Sequence, residues 1–500
     1  VSIEAELARD HGSIPALIRG HAAARPDQPA VIAGEDVLTY RALDGLMDRV
    51  AAALQRDAVP IGATIAIGAA ASPAYVAVYL GAVRAGVSVV PLQPSAAPAA
   101  LAAMIADAGA RLVFGDASFP APAAISLDLS GDRTLAAWLA DGPPAAVDVA
   151  PDAAFNLIYS SGTTGTPKGI VQSHRMRWAH VRRGGAFGYG PDAVTLVSTP
   201  LYSNTTLVSL LPALALGGTV VLQPRFDAAG FLQLAERHRV THAMLVPVQY
   251  ERLLRHPDFD RADLSSFRMK FATSAPFSAE LKAEVLRRWP GGLIEYFGMT
   301  EGGGTCILAA HLFPTKLHTV GQPAEGHDVR VIDDAGRALG VGEVGEIVGH
   351  SPAAMMTGYH GQPEATAATE WRDPTGKRFI RTGDLGSFDA DGFLTIVGRK
   401  KDVIISGGFN VYPIDLEAAL AAHPAVAEAA VVGVASPRWG ETPVAFVVAR
   451  AAVTADELRA FANARLGATQ RLSDVVLVDA LPRSAIGKIL KRELRAAYRP

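Results

Sequence analysis

Five hundred residues are more than one hydrophobic core usually supports, so the chain is expected to fold as two or more domains, and its 49% hydrophobic content is enough to fill them. A formal net charge of -3 gives no electrostatic case for nucleic acid or an anionic membrane as a partner. The single cysteine, Cys306, excludes an internal disulfide and fits a reducing compartment, so a cytoplasmic location is expected.

The N-terminal stretch carries Glu4, Glu6, Asp10 and His11 where a secretory leader would need a basic and then an apolar run. Apolar positions at helical spacing predict a helix over 14–24, stopped by Pro26 and Pro29. Strands follow at 30–32 and 37–40 around Gly34, then an amphipathic helix over 43–54 with Leu43, Leu46, Met47, Val50 and Leu54 on one face. Strand 64–67, helix 73–84 and strand 87–90 form a β-α-β unit, extended by a helix at 98–108 and a strand at 111–114. The apolar run 74–92 is broken by Arg84 and Gly86, and the run 207–222 by Pro212, Gly217 and Gly218, so each reads as a packed helix and a strand, and no membrane insertion is expected. Residues 117–150, rich in Ala, Pro and Asp, show no sustained periodicity and read as a surface connection.

A second alternation follows: strand 194–198, helix 206–216, strand 219–222, helix 228–237 and strands 242–246 and 267–272. The fold class is therefore α/β, with two layered subdomains built on largely parallel sheets. From 318 to 397 the pattern changes to short strands at 329–332, 345–349, 379–382 and 393–397, separated by Asp-Gly turns, which reads as a small, mainly antiparallel β subdomain. The tail has its own α+β periodicity: helix 415–421, strands 426–434 and 444–448, a helix capped by Thr454 with Glu457 at its third position, and strand 475–479. The boundary between them is placed at the charged run 399–402.

Between the two α/β runs, an apolar strand at 156–159 breaks into seven residues, 160–166, that are only Ser, Thr and Gly, and ends Pro167-Lys168-Gly169. Small hydroxyl residues and glycines leave backbone N–H groups open and add O–H donors, which suits a loop closing over polyphosphate oxygens, with Lys168 as a point charge. A flexible linker needs neither the strand nor the Pro-Lys-Gly end. The Walker pattern is absent, because Pro167 precedes the lysine and Gly169 follows it.

Residues 159–169 resemble the signature of the adenylate-forming superfamily, which contains acyl- and aryl-CoA synthetases, firefly luciferase and the adenylation domains of peptide synthetases. Later stretches match in order, so the resemblance covers essentially the whole chain. It implies an N-terminal adenylation domain (1–399), a hinge (400–402) and a small mobile C-terminal domain (403–500). The phosphate loop is then Ser160, Ser161, Gly162, Thr163, Thr164, Gly165, Thr166 and Lys168.

In Phe297-Gly298-Met299-Thr300-Glu301 an aromatic suited to stacking on a purine stands beside oxygen ligands suited to Mg2+. By resemblance Phe297 and Gly298 flank the adenine, Thr300 approaches the α-phosphate and Glu301 binds the metal, while Ser274, Ala275 and Pro276 carry the adenine edge and a wall of the acyl pocket. Asp384, ending a strand in Thr382-Gly383-Asp384, reads as a carboxylate open to two vicinal hydroxyls; it resembles the ribose aspartate, and Arg399 the arginine that helps hold the sugar or its phosphate. Lys488 resembles the mobile-domain lysine that serves adenylation, and Lys401 the hinge. Rotation there would bring Gly407, Gly408 and Phe409 to the site in place of Lys488. Arg438 and Trp439 resemble a CoA segment, the tryptophan stacking on the adenine and the arginine near its 3'-phosphate. His238 and His242 are not placed to share a helical face, so no zinc is expected.

The implied reaction joins ATP, a small carboxylic acid and CoA, with Mg2+, into acyl-CoA, AMP and pyrophosphate. A ligase that loads a separate carrier protein and a non-catalytic nucleotide-binding regulator are the alternatives, and a homodimer is left open. Ser203 falls where the family usually has a histidine bordering the carboxylate and the thioester tunnel, and the neighbouring Tyr202 is the candidate to serve in its place. Gly302, Gly303 and Gly304 are expected to clear the floor of the acyl pocket. Neither 200–206 nor 297–305 contains Arg or Lys. An apolar aryl, cycloaliphatic or medium-chain monocarboxylate is the expected acid.

Overall fold

The computed structural model describes residues 2–119, 124–127, 134–160, 168–467, 470–484 and 487–499. The chain divides into two compact units, Val1–Leu317 with Pro323–Asp328 and Gly349–Ile380, and His318–Gln322 with Val329–Val348 and Arg381–Pro500.

The first unit contains two mixed sheets. In the larger, the strands run Cys306–Ala309, Gly292–Phe297, Met269–Ala272, His242–Leu245, Val194–Val197, Thr219–Leu222, Pro29–Ala33, Asp36–Thr39, parallel except for Cys306–Ala309 and Asp36–Thr39. The other runs Gly358–Tyr359, Lys168–Ser173, Ala154–Ser160, Ser88–Pro91, Thr64–Gly68, Val113–Gly115, Ile125–Ser126. Most strands have both faces covered, and so read as apolar runs without alternation. Helix Pro73–Arg84 shows why the sheets pack as they do. Ser72 caps it and Pro73 starts it, and every residue from Tyr75 to Val83 is buried, as an all-round apolar helix requires. With Tyr40–Arg56 and Asn204–Ala215 it contributes to one core that also takes Val31, Val220 and Phe271 from the larger sheet and Ile65, Val89 and Phe155 from the smaller. The two subdomains thus share a core.

Residues 117–150 are not only a surface connection. Phe119 is buried against Gly68 and Gly115, where a Cβ on Gly68 would lie 2.1 Å from its ring. Thr134 caps a short helix, Leu135–Trp138; Trp138 packs edge-on to Phe114 at 5.0 Å and donates to Asp57 at 2.7 Å. Single aromatic anchors leave no periodicity to read.

A further sheet runs Asp328–Ile332, Gly345–His350, Arg378–Phe388, with Leu394–Arg399 antiparallel to Arg378–Phe388, and most of its residues belong to the second unit, where a C-terminal α+β module follows. Its sheet runs Phe409–Val411, Ile404–Ser406, Gly440–Ala449, Val426–Ser436, with Asp474–Leu477 parallel to Gly440–Ala449. The strands expected at 426–434 and 444–448 are the arms of one longer hairpin, and Pro437, Arg438 and Trp439 form its tip. Among the described residues no helix is long and apolar enough to cross a membrane.

Candidate active site

The carboxyl ends of parallel strands are where open α/β sheets bind ligands. The chain after Val194–Val197, Met269–Ala272 and Gly292–Phe297 carries Tyr202 and Ser203, then Ser274 to Pro276, then Gly298 to Glu301, so three predicted segments leave the same end of one sheet. Ser274 is held at φ +80°, a region non-glycine residues rarely occupy, with its hydroxyl 2.6 Å from that of Thr205. Thr273 donates to the Tyr296 carbonyl at 2.9 Å. This loop is therefore fixed both to the start of helix Asn204–Ala215 and to the strand that delivers Phe297.

The predicted phosphate loop joins an antiparallel hairpin, Ala154–Ser160 with Lys168–Ser173, in which Ser160 faces Lys168. Ser161, Gly162, Thr163, Thr164, Gly165 and Thr166 lie outside the described residues. On the far edge of the hairpin, Tyr359 pairs with Ile170. The Lys168 ammonium lies 5.0 Å from the centre of the Tyr359 ring, and the Tyr359 hydroxyl donates to Glu301 Oε1 at 2.9 Å. Burial and the Glu301 charge push that hydroxyl's pKa above its ordinary value, so it stays a donor. Tyr359 thus links the predicted phosphate lysine to the predicted metal carboxylate. Sequence reasoning missed it, since one tyrosine in a polar stretch carries no pattern.

A buried polar network completes the arrangement. Arg177 is fully buried on helix His174–Ala186 and donates to Asn156 Oδ1 (2.9 Å), Asn204 Oδ1 (3.0 Å) and Gln172 Oε1. Gln172 Nε2 donates to the Thr300 carbonyl at 2.7 Å. Burial pushes the Arg177 guanidinium down to about 10. Hairpin, helix, the Asn204 turn and Thr300 are therefore braced by one cation and three amides. The visible signal was Asn156 and Gln172, polar residues opposite each other on strands otherwise apolar.

One expectation is corrected by geometry. Gly302 and Gly303 sit at φ +73° and +92°, and a Cβ would lie 2.1 Å from the Ala354 carbonyl at the first and 2.7 Å from the Gly349 carbonyl at the second. Gly303 N–H donates to the Ala354 carbonyl at 2.8 Å, and a Cβ on Gly349 would lie 2.2 Å from Gly304 N. Gly302 and Gly303 are required by backbone packed on backbone; the missing side chains of these two do not open a cavity there.

In the second unit Asp384 is 8% exposed and pairs with Arg399 at 2.6 Å, so the expectation of an open carboxylate is also corrected. Burial raises its pKa, opposed by the charges of Arg399, Lys488 and Lys401. Lys400 bridges Asp334 (2.9 Å) and Glu346 (3.2 Å), and Asp402 meets Arg495 at 3.3 Å. Lys488 follows Gly487, at φ +78°, in a turn closed by Ser484 N–H on the Lys488 carbonyl at 2.8 Å. The two predicted CoA segments come together: Gly407 N–H donates to the Trp439 carbonyl at 2.8 Å, and a Cβ on Gly407 would lie 3.0 Å from the Trp439 ring. Trp439 is 47% exposed with the Arg438 guanidinium 4.7 Å from a ring centre, and Phe409 is 58% exposed. Ser436 and Pro437, with Arg459 and Arg495, line an open cleft of about 640 Å³.

Residues 18–360 match the AMP-binding enzyme family and 415–488 its C-terminal domain. The chain therefore belongs to the AMP-binding enzyme family of adenylate-forming ligases, which act through an acyl-adenylate. It is 36% identical over 485 residues to a feruloyl-CoA synthase from an Amycolatopsis species, covering 95% of this chain and 96% of that one. It is 33% identical over 501 residues to the fatty acid–[acyl-carrier-protein] ligase ScoC of Streptomyces coeruleorubidus, covering 96% and 95%. The crystal structure of ATP-bound MatB from Rhodopseudomonas palustris superimposes with a TM-score of 0.85 at 29% identity, over 96% of this chain and 98% of that one.

Proposed function

We propose that the protein is an AMP-forming carboxylate–CoA ligase acting on an aryl or other largely apolar acid. The observation that supports it most is the line Lys168–Tyr359–Glu301, with Thr300 tied through Gln172 to the same hairpin. A carboxylate is a poor acylating agent. Attack of its oxygen on the α-phosphorus of ATP expels pyrophosphate and yields an acyl-adenylate; attack of a thiolate on that carbonyl then expels AMP. Protein work is mainly charge placement at the phosphoryl and carbonyl oxygens.

Lys168 and the 160–166 loop take the polyphosphate, Phe297 and the 274–276 loop the adenine, Asp384 the ribose hydroxyls in exchange for its contact with Arg399, and Lys488 the charge developing during adenylation. Glu301 is the residue that would hold Mg2+, one carboxylate beside phosphate oxygens being a usual site for that hard ion, which neutralises charge on the triphosphate when bound. Tyr359, by donating to one Glu301 oxygen, fixes the other's direction. The domain 403–500 turns about Lys401, so that Gly407 to Phe409 and the Arg438–Trp439 tip serve CoA in the second step. The named activity of the feruloyl-CoA synthase relative supports CoA; that of ScoC favours a carrier-protein thiol as the second reading.

The test is acid-dependent exchange of labelled pyrophosphate into ATP, followed by addition of CoA. Exchange, then AMP and acyl-CoA, is the expected result. ADP and phosphate would remove the reading, binding of ATP with no exchange would make the protein a regulator, and release of the acyl group only to a phosphopantetheinylated carrier would move the acceptor.

A further inference from the structure

A lysine that works by placing one charge is only as precise as the backbone carrying it, because a flexible stem separates its Cα from its ammonium. Lys488 is exposed, and the chain to either side of it is fixed by packing: Leu481 and Leu494 are buried in a small core with Ala430, Val432, Val444 and Phe446. Between those two leucines the chain doubles back. Leu490 N–H donates to the Pro482 carbonyl at 2.8 Å, and Arg483 bridges antiparallel to Ile489.

The peptide group that joins Gly487 to Lys488 is held at both ends. Its carbonyl accepts from Arg483 Nη1 at 2.8 Å, and its N–H donates to Ser484 Oγ at 3.2 Å. The next carbonyl, that of Lys488 itself, accepts the Ser484 N–H at 2.8 Å. Arg483 is half-buried and gives the other arm of its fork, Nη2, to Glu428 Oε2 at 2.7 Å. Glu428 belongs to strand Val426–Ser436, paired along its length with Gly440–Ala449. Beyond the turn, Lys491 meets Glu417 Oε1 at 2.7 Å, an oxygen that also accepts the Val431 N–H at 2.8 Å.

A partly exposed ion pair by itself stabilises a fold by little. What distinguishes Arg483 is that its planar fork grips a carboxylate and a carbonyl at once, which an ammonium on a flexible stem does poorly. The arginine thereby ties the peptide group entering Lys488 to a strand of the C-terminal sheet.

We propose that Arg483, anchored by Glu428, is a positioning residue for adenylation: by gripping the Gly487 carbonyl it sets the direction in which the Lys488 side chain leaves the turn. The inference rests on the ligase reading and deepens it. Because Lys488 is assigned to the first half-reaction, the arginine matters to that half and is indifferent to the second.

The experiment compares Arg483→Met with the wild type in two assays. One is exchange of labelled pyrophosphate into ATP with cinnamate, ferulate and octanoate as acids. The other is transfer from supplied cinnamoyl-adenylate to CoA or to a phosphopantetheinylated carrier, whichever the wild type uses. Exchange should fall by about tenfold to 100-fold, in kcat, with KM for ATP within about twofold of the wild type, while transfer is unchanged. Arg483→Lys, which keeps the charge and loses the fork, should recover part of the exchange. In a Lys488→Ala background Arg483→Met should cost nothing more, since it acts through the lysine. A residue that served folding alone would lower both half-reactions together and add its loss to that of Lys488→Ala. Either of those results, or wild-type exchange in Arg483→Met, overturns the positioning role and leaves the ligase reading intact. Absence of exchange in the wild type with every acid overturns both. If Arg483→Met does not fold, Arg483→Gln is read in its place against the same outcomes.

Discussion

Replacing Arg177 by Met tests whether the buried brace positions the site. The change removes donors from three amide oxygens, and Asn156 Oδ1 is left most exposed to the loss, since Gln172 Oε1 keeps the Asn156 amide at 2.9 Å and Asn204 Oδ1 keeps the Gln172 amide at 3.2 Å. Hydrogen bonds to a charged group contribute about 1.5–3 kcal/mol each, and an apolar side chain recovers part of that by relieving a buried charge. The net loss expected is about 2–4 kcal/mol, visible as a lower denaturant midpoint. Activity should fall further than stability explains. The Gln172 amide that holds the Thr300 carbonyl is itself oriented by Arg177 and Asn156, and a displacement of about 1 Å at reacting groups costs on the order of 100-fold. Pyrophosphate exchange, measured well below the unfolding transition, reads that term. Wild-type midpoint together with wild-type exchange would refute the brace; a lower midpoint with normal exchange would leave it a purely structural feature.

Lys488→Ala should lower adenylate formation by on the order of 100-fold while thioester formation from supplied acyl-adenylate survives, and equal loss in both half-reactions would contradict its assignment to the first. Lys401→Pro should do the reverse, sparing exchange and blocking thiol transfer, if that residue is the pivot. Gly302→Ala should impair folding for every substrate alike, because its Cβ would meet a carbonyl at 2.1 Å; soluble, stable protein with a shifted acid preference would show that the backbone approach is not what demands glycine. Burial pushes His174 and His327 from the ordinary 6.5 down to about 4, so the unfolded chain takes up their protons first. The stability they contribute is complete above about pH 6.5 and is lost as pH falls toward 4; a denaturant midpoint no lower at pH 5 than at pH 7 would contradict this.

Much of the fold was legible because apolar periodicity reports burial directly: the runs at 73–84 and 219–222 became the elements they predicted. The segments at 202–203 and 274–276 are picked out by resemblance to the family, 298–301 also by residue type, and the strand order brings them to one end of the sheet. Legibility failed where the reason for a residue lies across the fold. Gly302 and Gly303 looked like open space because sequence shows the absent side chain and not the carbonyl that excludes it. Asp384 looked open because a glycine turn gives no hint of Arg399 closing on it from the neighbouring strand. Tyr359 and Arg177 are held by partners far away in sequence, so no local spacing could single them out.

The most direct measurement of the central claim follows oxygen. Incubation with ATP, Mg2+, CoA and an acid carrying 18O in both carboxylate oxygens, with mass spectrometry of the products, reports which bond is made. The account predicts AMP carrying one 18O, delivered when the carboxylate oxygen attacks the α-phosphorus and kept when the thiol displaces it. Unlabelled AMP, or label in phosphate alongside ADP, would contradict an acyl-adenylate and with it the assignment of Lys168, Glu301 and Lys488.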